Sequence, residues 1–289
     1  TVLALGVAML GNYTFVFGHF GVPALGLYGS PLSTVLTAVF FVAAYVVAIA
    51  SDRRLRRYRV FGNWWRPEWS RLGELVRKGA PVSFTILAEA GLFGGGAFLM
   101  GRFGPEQLAG HTIALQLAAF TFQVPLALGQ AATIRVGYFF GARDPAAIGR
   151  AGWSAIAIGA GFMLLAAGVM LFAPRALIRL YVDPDAAKNA VLVAFALRYM
   201  VIAAAFQLFD GTQAVCAGCL RGLQDTRIPM LLALFGYWLP GFGTSIALGF
   251  FSPLQGVGVW LGFAVGLFVV ASLLLRRWTR RGRLGAMPA

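Results

Sequence analysis

Two carboxylic acids, Glu89 and Asp210, each stand alone inside a long apolar stretch of the chain. An ionisable side chain at the centre of a membrane helix costs roughly 2.5–3.5 kcal/mol on insertion scales. Acids retained at that cost usually line a cavity or an ion path, so the pair points to transport rather than to soluble chemistry. Two such groups at one depth could share a single cation or a single proton. Gln213 follows Asp210 by three residues and Phe206 precedes it by four, which puts all three on one helix face.

Other polar residues recur at helical spacing. Thr112, Gln116, Gln123 and Gln130 make a polar stripe along an otherwise apolar helix, with His111 beside it. Such a stripe either joins helices by hydrogen bonds or faces a water-filled cavity. His111 reads as a structural hydrogen bonder, and His19 carries little signal. Cys216 and Cys219 form a CxxC inside an apolar run, where they read as small residues on a packed helix rather than a redox or metal pair. Gly94-Gly95-Gly96 follows no strand, so it suits mobility and close packing rather than phosphate binding. No Walker lysine, HExxH or Ser/His/Asp set is visible, which argues against an enzyme.

The elements that must position these groups are membrane helices. Hydrophobic residues make up 59% of the 289 residues and charged residues 12%. Apolar windows long enough for the ~30 Å hydrocarbon core fall at about 1–18, 31–50, 81–101, 108–134, 152–173, 191–217, 229–251 and 256–275. The expected fold is all-α, a polytopic bundle of about eight spans. Pro125, Pro229 and Pro240 are candidate kinks.

The net charge of +14 might be read as a nucleic-acid footprint. The basic residues instead cluster in short segments between the spans, as the positive-inside rule expects. Residues 51–80 read as a basic cytoplasmic connector with a surface helix, where Trp64, Trp65 and Trp69 interleave with arginines. Arg276, Arg277, Arg280, Arg281 and Arg283 place the tail, 276–289, on the same side, as do Arg135, Arg143, Arg150, Arg221 and Arg227 at the intervening turns. Opposite-side segments carry only Arg102, Arg175, Arg179, Lys188 and Arg198, and 174–190 reads as an outer interfacial helix.

A span beginning near Pro81 would place Glu89 about eight residues in, roughly 12 Å deep. Asp210 lies about the same distance from the cytoplasmic end of its span near Gly218, so the two acids are expected at matching depth.

In order along the chain, several segments resemble the multidrug and toxic compound extrusion (MATE) family, in particular its bacterial NorM-like branch. They are Gly-Asn-Tyr-Thr-Phe-Val-Phe-Gly from Gly11, Gly79-Ala80-Pro81 leading into Glu89, and Ala-Gly-His-Thr-Ile-Ala-Leu-Gln at 109–116. Ile134-Arg135-Val136-Gly137 follows, then Gly-Ala-Arg-Asp at 141–144 and Phe-Gln-Leu-Phe-Asp-Gly-Thr-Gln at 206–213. Leu220-Arg221-Gly222, Asp225, Tyr237-Trp238 and Gly258-Val259-Trp260-Leu261-Gly262 complete the set.

The resemblance implies a two-lobed, twelve-helix exporter of cationic compounds, driven by exchange for Na⁺ or H⁺. By it, residues 1–50 would be the last two helices of a truncated N-terminal lobe, and 81–275 a six-helix C-terminal lobe whose missing N-terminal lobe is its partner. Glu89 and Asp210 would be the coupling acids and would hold Na⁺ if that is the coupling ion; no other cofactor is implied. Phe206, Gln213, Gln116, Thr112, Gln123 and Phe93 would line the cavity for small organic cations, with Phe122 as a further aromatic wall. Gln116 stands where the family usually has asparagine. Phe206 stands where some members have tyrosine, so it offers a ring face to a cation but no hydroxyl. The implied location is the bacterial inner membrane, spanned several times, with no nucleic-acid partner. The rival reading is a flippase for a lipid-linked saccharide, which would want basic groups facing a pyrophosphate. A third is a non-transporting membrane scaffold.

Overall fold

The computed structural model describes residues 2–21, 23–52 and 68–282. They fall into two units, Thr1–Leu72 and Gly73–Ala289. In the first, α1 (Val2–Phe17) and α2 (Gly29–Ser51) pack on each other. Ser33 Oγ donates to the Ala8 carbonyl at 3.3 Å, and a Cβ at Gly11 would run into that serine. Trp64 and Trp65 of the expected connector, and Arg283 in the tail, lie outside the described residues.

α3 (Trp69–Gly101) starts at the end of the first unit and runs into the larger one, which also holds α4 (Pro105–Gly141), α5 (Pro145–Phe172), the short α6 (Pro174–Ile178) and α7 (Ala190–Gly222). The next span is α8 (Arg227–Gly236), a π-helical segment Tyr237–Phe242 and α9 (Gly243–Phe250), and α10 (Gly256–Thr279) follows. Among the described residues, seven helices are long and apolar enough to cross a membrane, and Leu3–Phe17 is a shorter apolar helix. The protein is a multi-pass membrane protein.

Most helices outrun their apolar windows, because the intrahelical hydrogen-bond ladder continues where basic and polar residues leave the hydrocarbon. The clearest case is α3. It begins at Trp69, so Pro81 lies inside the helix rather than at its first turn. Glu89 is therefore about twenty residues, roughly 30 Å, along α3 rather than near its start. The stretch before Pro81 carries exposed ion pairs, Arg71–Glu68 and Lys78–Glu74.

α7 is the hub, packed along α4, α10 and α5. Small residues set its closest approach. A Cβ on Gly218 would strike the Gly129 backbone of α4, and one on Gly222 would meet Val136. Thr133 Oγ1 lies 2.9 Å from both the Gly129 and the Gly218 carbonyl oxygens. This is how helices associate in lipid, where small side chains admit close backbones. On the far side, Arg179 pairs with Asp185 at 2.6 Å in the segment joining α6 to α7.

Candidate functional site

The hydrogen bonds of one amide define the site. Gln213 Nε2 on α7 donates to Glu89 Oε1 on α3 at 3.1 Å and to Asp210 Oδ1 at 3.4 Å. A glutamine amide has two N–H donors, so one side chain serves both acids. Asp210 is 4% exposed and Gln213 2%, while Glu89 is partly buried. The arrangement sets carboxyl oxygens from two helices around one amide. A monovalent cation or a proton suits that donor set, because either cancels charge that the apolar surroundings leave unsolvated. Among the described residues no third His, Cys, Asp or Glu joins them.

An aromatic column rises from the acids. Phe206, one turn from Asp210, is fully buried and stacks on Trp260 of α10 at 5.7 Å and 11°. Phe93, one turn along α3 from Glu89, lies 6.5 Å from Phe206 and 5.2 Å from Phe263. Trp260 stacks in turn on Tyr199 at 5.6 Å and 8°. Tyr199 donates its hydroxyl to Gln107 Oε1 at 3.0 Å, and Gln107 donates to Gln255 Oε1 at 2.7 Å, which closes the column with a polar clasp. Gly95 and Gly96 admit the Phe242 and Phe263 rings, whereas Gly94 faces open space.

The remaining residues singled out by sequence sit elsewhere. Thr112, Gln116, Gln123 and Gln130 are all exposed along one face of α4. Thr112 and Gln116 border a groove with Tyr181 and Leu192, and Gln123 donates only to the Ala119 carbonyl within its own helix. Phe122 is partly buried. His111 is buried against Trp260 and Phe263, and neither ring nitrogen has a hydrogen-bond partner among the described residues. Its expected role as a hydrogen bonder is thus replaced by ring packing. Cys216 and Cys219 are buried free thiols.

Sequence reasoning missed three groups near the site. Gln207 is fully buried and donates to Thr121 Oγ1 at 2.6 Å, joining α7 to α4. Tyr237 is fully buried within electrostatic reach of both acids, and its hydroxyl has no partner among the described residues. Trp260 was part of a family-like motif but had no assigned place. Tyr237 likewise stood in a family-like pair with Trp238, next to the interruption around Pro240, and π turns of this kind gather at functional sites.

Comparison with known proteins gives concordant matches. The MatE family model matches residues 81–246. The chain is 45% identical over 278 residues to the probable multidrug resistance protein NorM of Brucella suis biovar 1, covering 96% of this chain and 59% of that protein. It is 44% identical over 282 residues to the probable multidrug resistance protein NorM of Mesorhizobium japonicum, covering 98% and 60%. The chain thus spans about three fifths of the length of the curated relatives it matches. Its fold is similar to that of the eukaryotic MATE transporter AtDTX14, with a TM-score of 0.82 at 22% identity over 99% of this chain and 64% of that one.

Proposed function

The chain belongs to the MatE family, and on that premise we propose that it supplies the ion-coupling part of a multidrug antiporter in the bacterial inner membrane. The carrying observation is the bridge from Gln213 to Glu89 and Asp210. The exporter exchanges lipophilic organic cations for H⁺ or Na⁺, and residues 81–275 act as one lobe. Relatives named as multidrug resistance proteins support the class of activity.

The coupling ion enters between Glu89 and Asp210. Its single charge cancels that of one carboxylate, and the Gln213 amide then loses an anionic acceptor on one helix or the other. That exchange changes what holds α3 against α7. Phe93 and Phe206 supply ring faces beside the acids, a setting that favours a cation of low hydration. A lipid-linked pyrophosphate would instead need buried cations, and the charged side chains at the heart of this unit are acidic. That favours the antiporter over the flippase.

The test is ethidium efflux by the full-length protein in vesicles under imposed Na⁺ or H⁺ gradients. Glu89→Gln and Asp210→Asn should each lower efflux at least tenfold while the protein still inserts. Unchanged efflux in the double variant would sink the reading, and the gradient that drives the wild type names the ion.

A further inference from the structure

A second site lies away from the acids, at the ends of α4 and α5 that the basic-residue pattern assigns to the cytoplasm. A groove of about 500 Å³ runs between the two helices. Exposed Arg135 and Arg150 stand at its rim. Neither makes an ion pair among the described residues. The one carboxylate in the groove, Asp144, is engaged as the N-cap of α5 and accepts from the Ala147 amide at 2.9 Å. Arg135 is held 5.0 Å over the Phe139 ring, which leaves its guanidinium N–H groups directed away from that ring face.

Below the rim the chemistry changes. Ala132, Ala151 and Ala155 keep the floor shallow and apolar, and Leu128 and Ile158 close the deep end. Those two residues lie roughly 10–12 Å from the arginines along their helices. Tyr138 and Trp153, exposed next to the arginines, mark the headgroup level, where amphipathic rings collect. Two unpaired cations above an apolar trough therefore sit astride the boundary between headgroup and hydrocarbon.

We propose that this groove binds one anionic phospholipid, its phosphate between Arg135 and Arg150 and one acyl chain along the alanine floor. Arginine presents forked N–H donors that match phosphate oxygens, and basic pockets between spans on the cytoplasmic side suit anionic headgroups. The site does not depend on which ion or drug is transported.

The test is native mass spectrometry of the full-length protein released from bilayers of phosphatidylcholine and phosphatidylglycerol. The wild type should retain one more phosphatidylglycerol than Arg135→Gln/Arg150→Gln, with equal phosphatidylcholine. Ala151→Phe fills the trough but keeps both charges, and it should lose the same lipid. It also decides the question should the double variant fail to fold. Arg175→Gln/Arg179→Gln, in the outer segment, should retain the wild-type number. Equal retention in wild type and Ala151→Phe would overturn the proposal, as would displacement by excess inorganic phosphate. So would a dimer lost in Ala151→Phe, which would give the groove to a second copy of the chain.

Discussion

Arg277 Nε on α10 donates to Asp225 Oδ2 at 2.5 Å, and the two side chains are only 20% and 13% exposed. The pair ties the end of the last span to the turn between α7 and α8. Removing one partner strands the other where water reaches it poorly, a loss of about 3 kcal/mol in comparable buried pairs. Asp225→Ala should therefore lower the apparent melting temperature in detergent more than Asp225→Ala/Arg277→Leu does. A double variant as damaged as the sum of the singles would show that the pair contributes nothing.

Gln213→Leu keeps the volume of the side chain but removes the donor shared by the acids. A hydrogen bond to a charged group is worth about 1.5–3 kcal/mol, so ion-driven efflux should fall roughly tenfold to a hundredfold. Ethidium transport in vesicles reads this directly. Protein yield and melting should change far less than transport.

Tyr237→Phe separates packing from ligation. The hydroxyl has no partner to lose among the described residues, so stability should hold or rise slightly. If the phenol oxygen helps to hold the ion, the gradient needed for half-maximal efflux increases. An unchanged ion dependence would remove Tyr237 from the site.

The glycines divide sharply. Gly218→Ala would press a methyl group into the Gly129 backbone, whereas Gly168→Ala meets nothing within 4 Å. The first should destabilise by about 1–3 kcal/mol, and the second should stabilise by up to about 1 kcal/mol through helix propensity. Thermal unfolding of the two variants side by side checks both signs.

Cys216 and Cys219 are fully buried on the crowded face of α7. A maleimide dye should label them at least tenfold more slowly in the folded protein than after denaturation. Fast labelling of the native protein would show that the packing of α7 against α5, where Cys219 Sγ lies 3.9 Å from the Gly152 carbonyl oxygen, opens.

The spans and the grouping of Phe206, Asp210 and Gln213 were legible because polar residues in apolar runs are conspicuous and helical spacing fixes shared faces. The long-range partner was not. Nothing in local spacing says that Gln213 reaches Glu89 on a helix 124 positions away. Pro81 misled for a physical reason: proline fits a first turn well, but neighbouring helices also tolerate it inside a membrane helix. The Thr112–Gln130 stripe showed the opposite weakness, since periodicity identifies a face without saying what it meets.

From α8 through the π segment into α9, buried residues recur at every fourth position, Pro229, Ala233, Tyr237, Gly241, Ser245 and Gly249, with Gly236 buried beside Tyr237. On a straight α-helix each step of four drifts by about 40°, which would swing the last of them round to the opposite side. The wide turn at Tyr237–Phe242 resets that phase, as a leap day realigns a calendar, and brings Ser245 to donate to the Val259 carbonyl at 3.0 Å. The span thus keeps one face toward α10 over its whole length by carrying a single correction at mid-course. Losing one residue from that turn would leave both halves helical but out of step with each other.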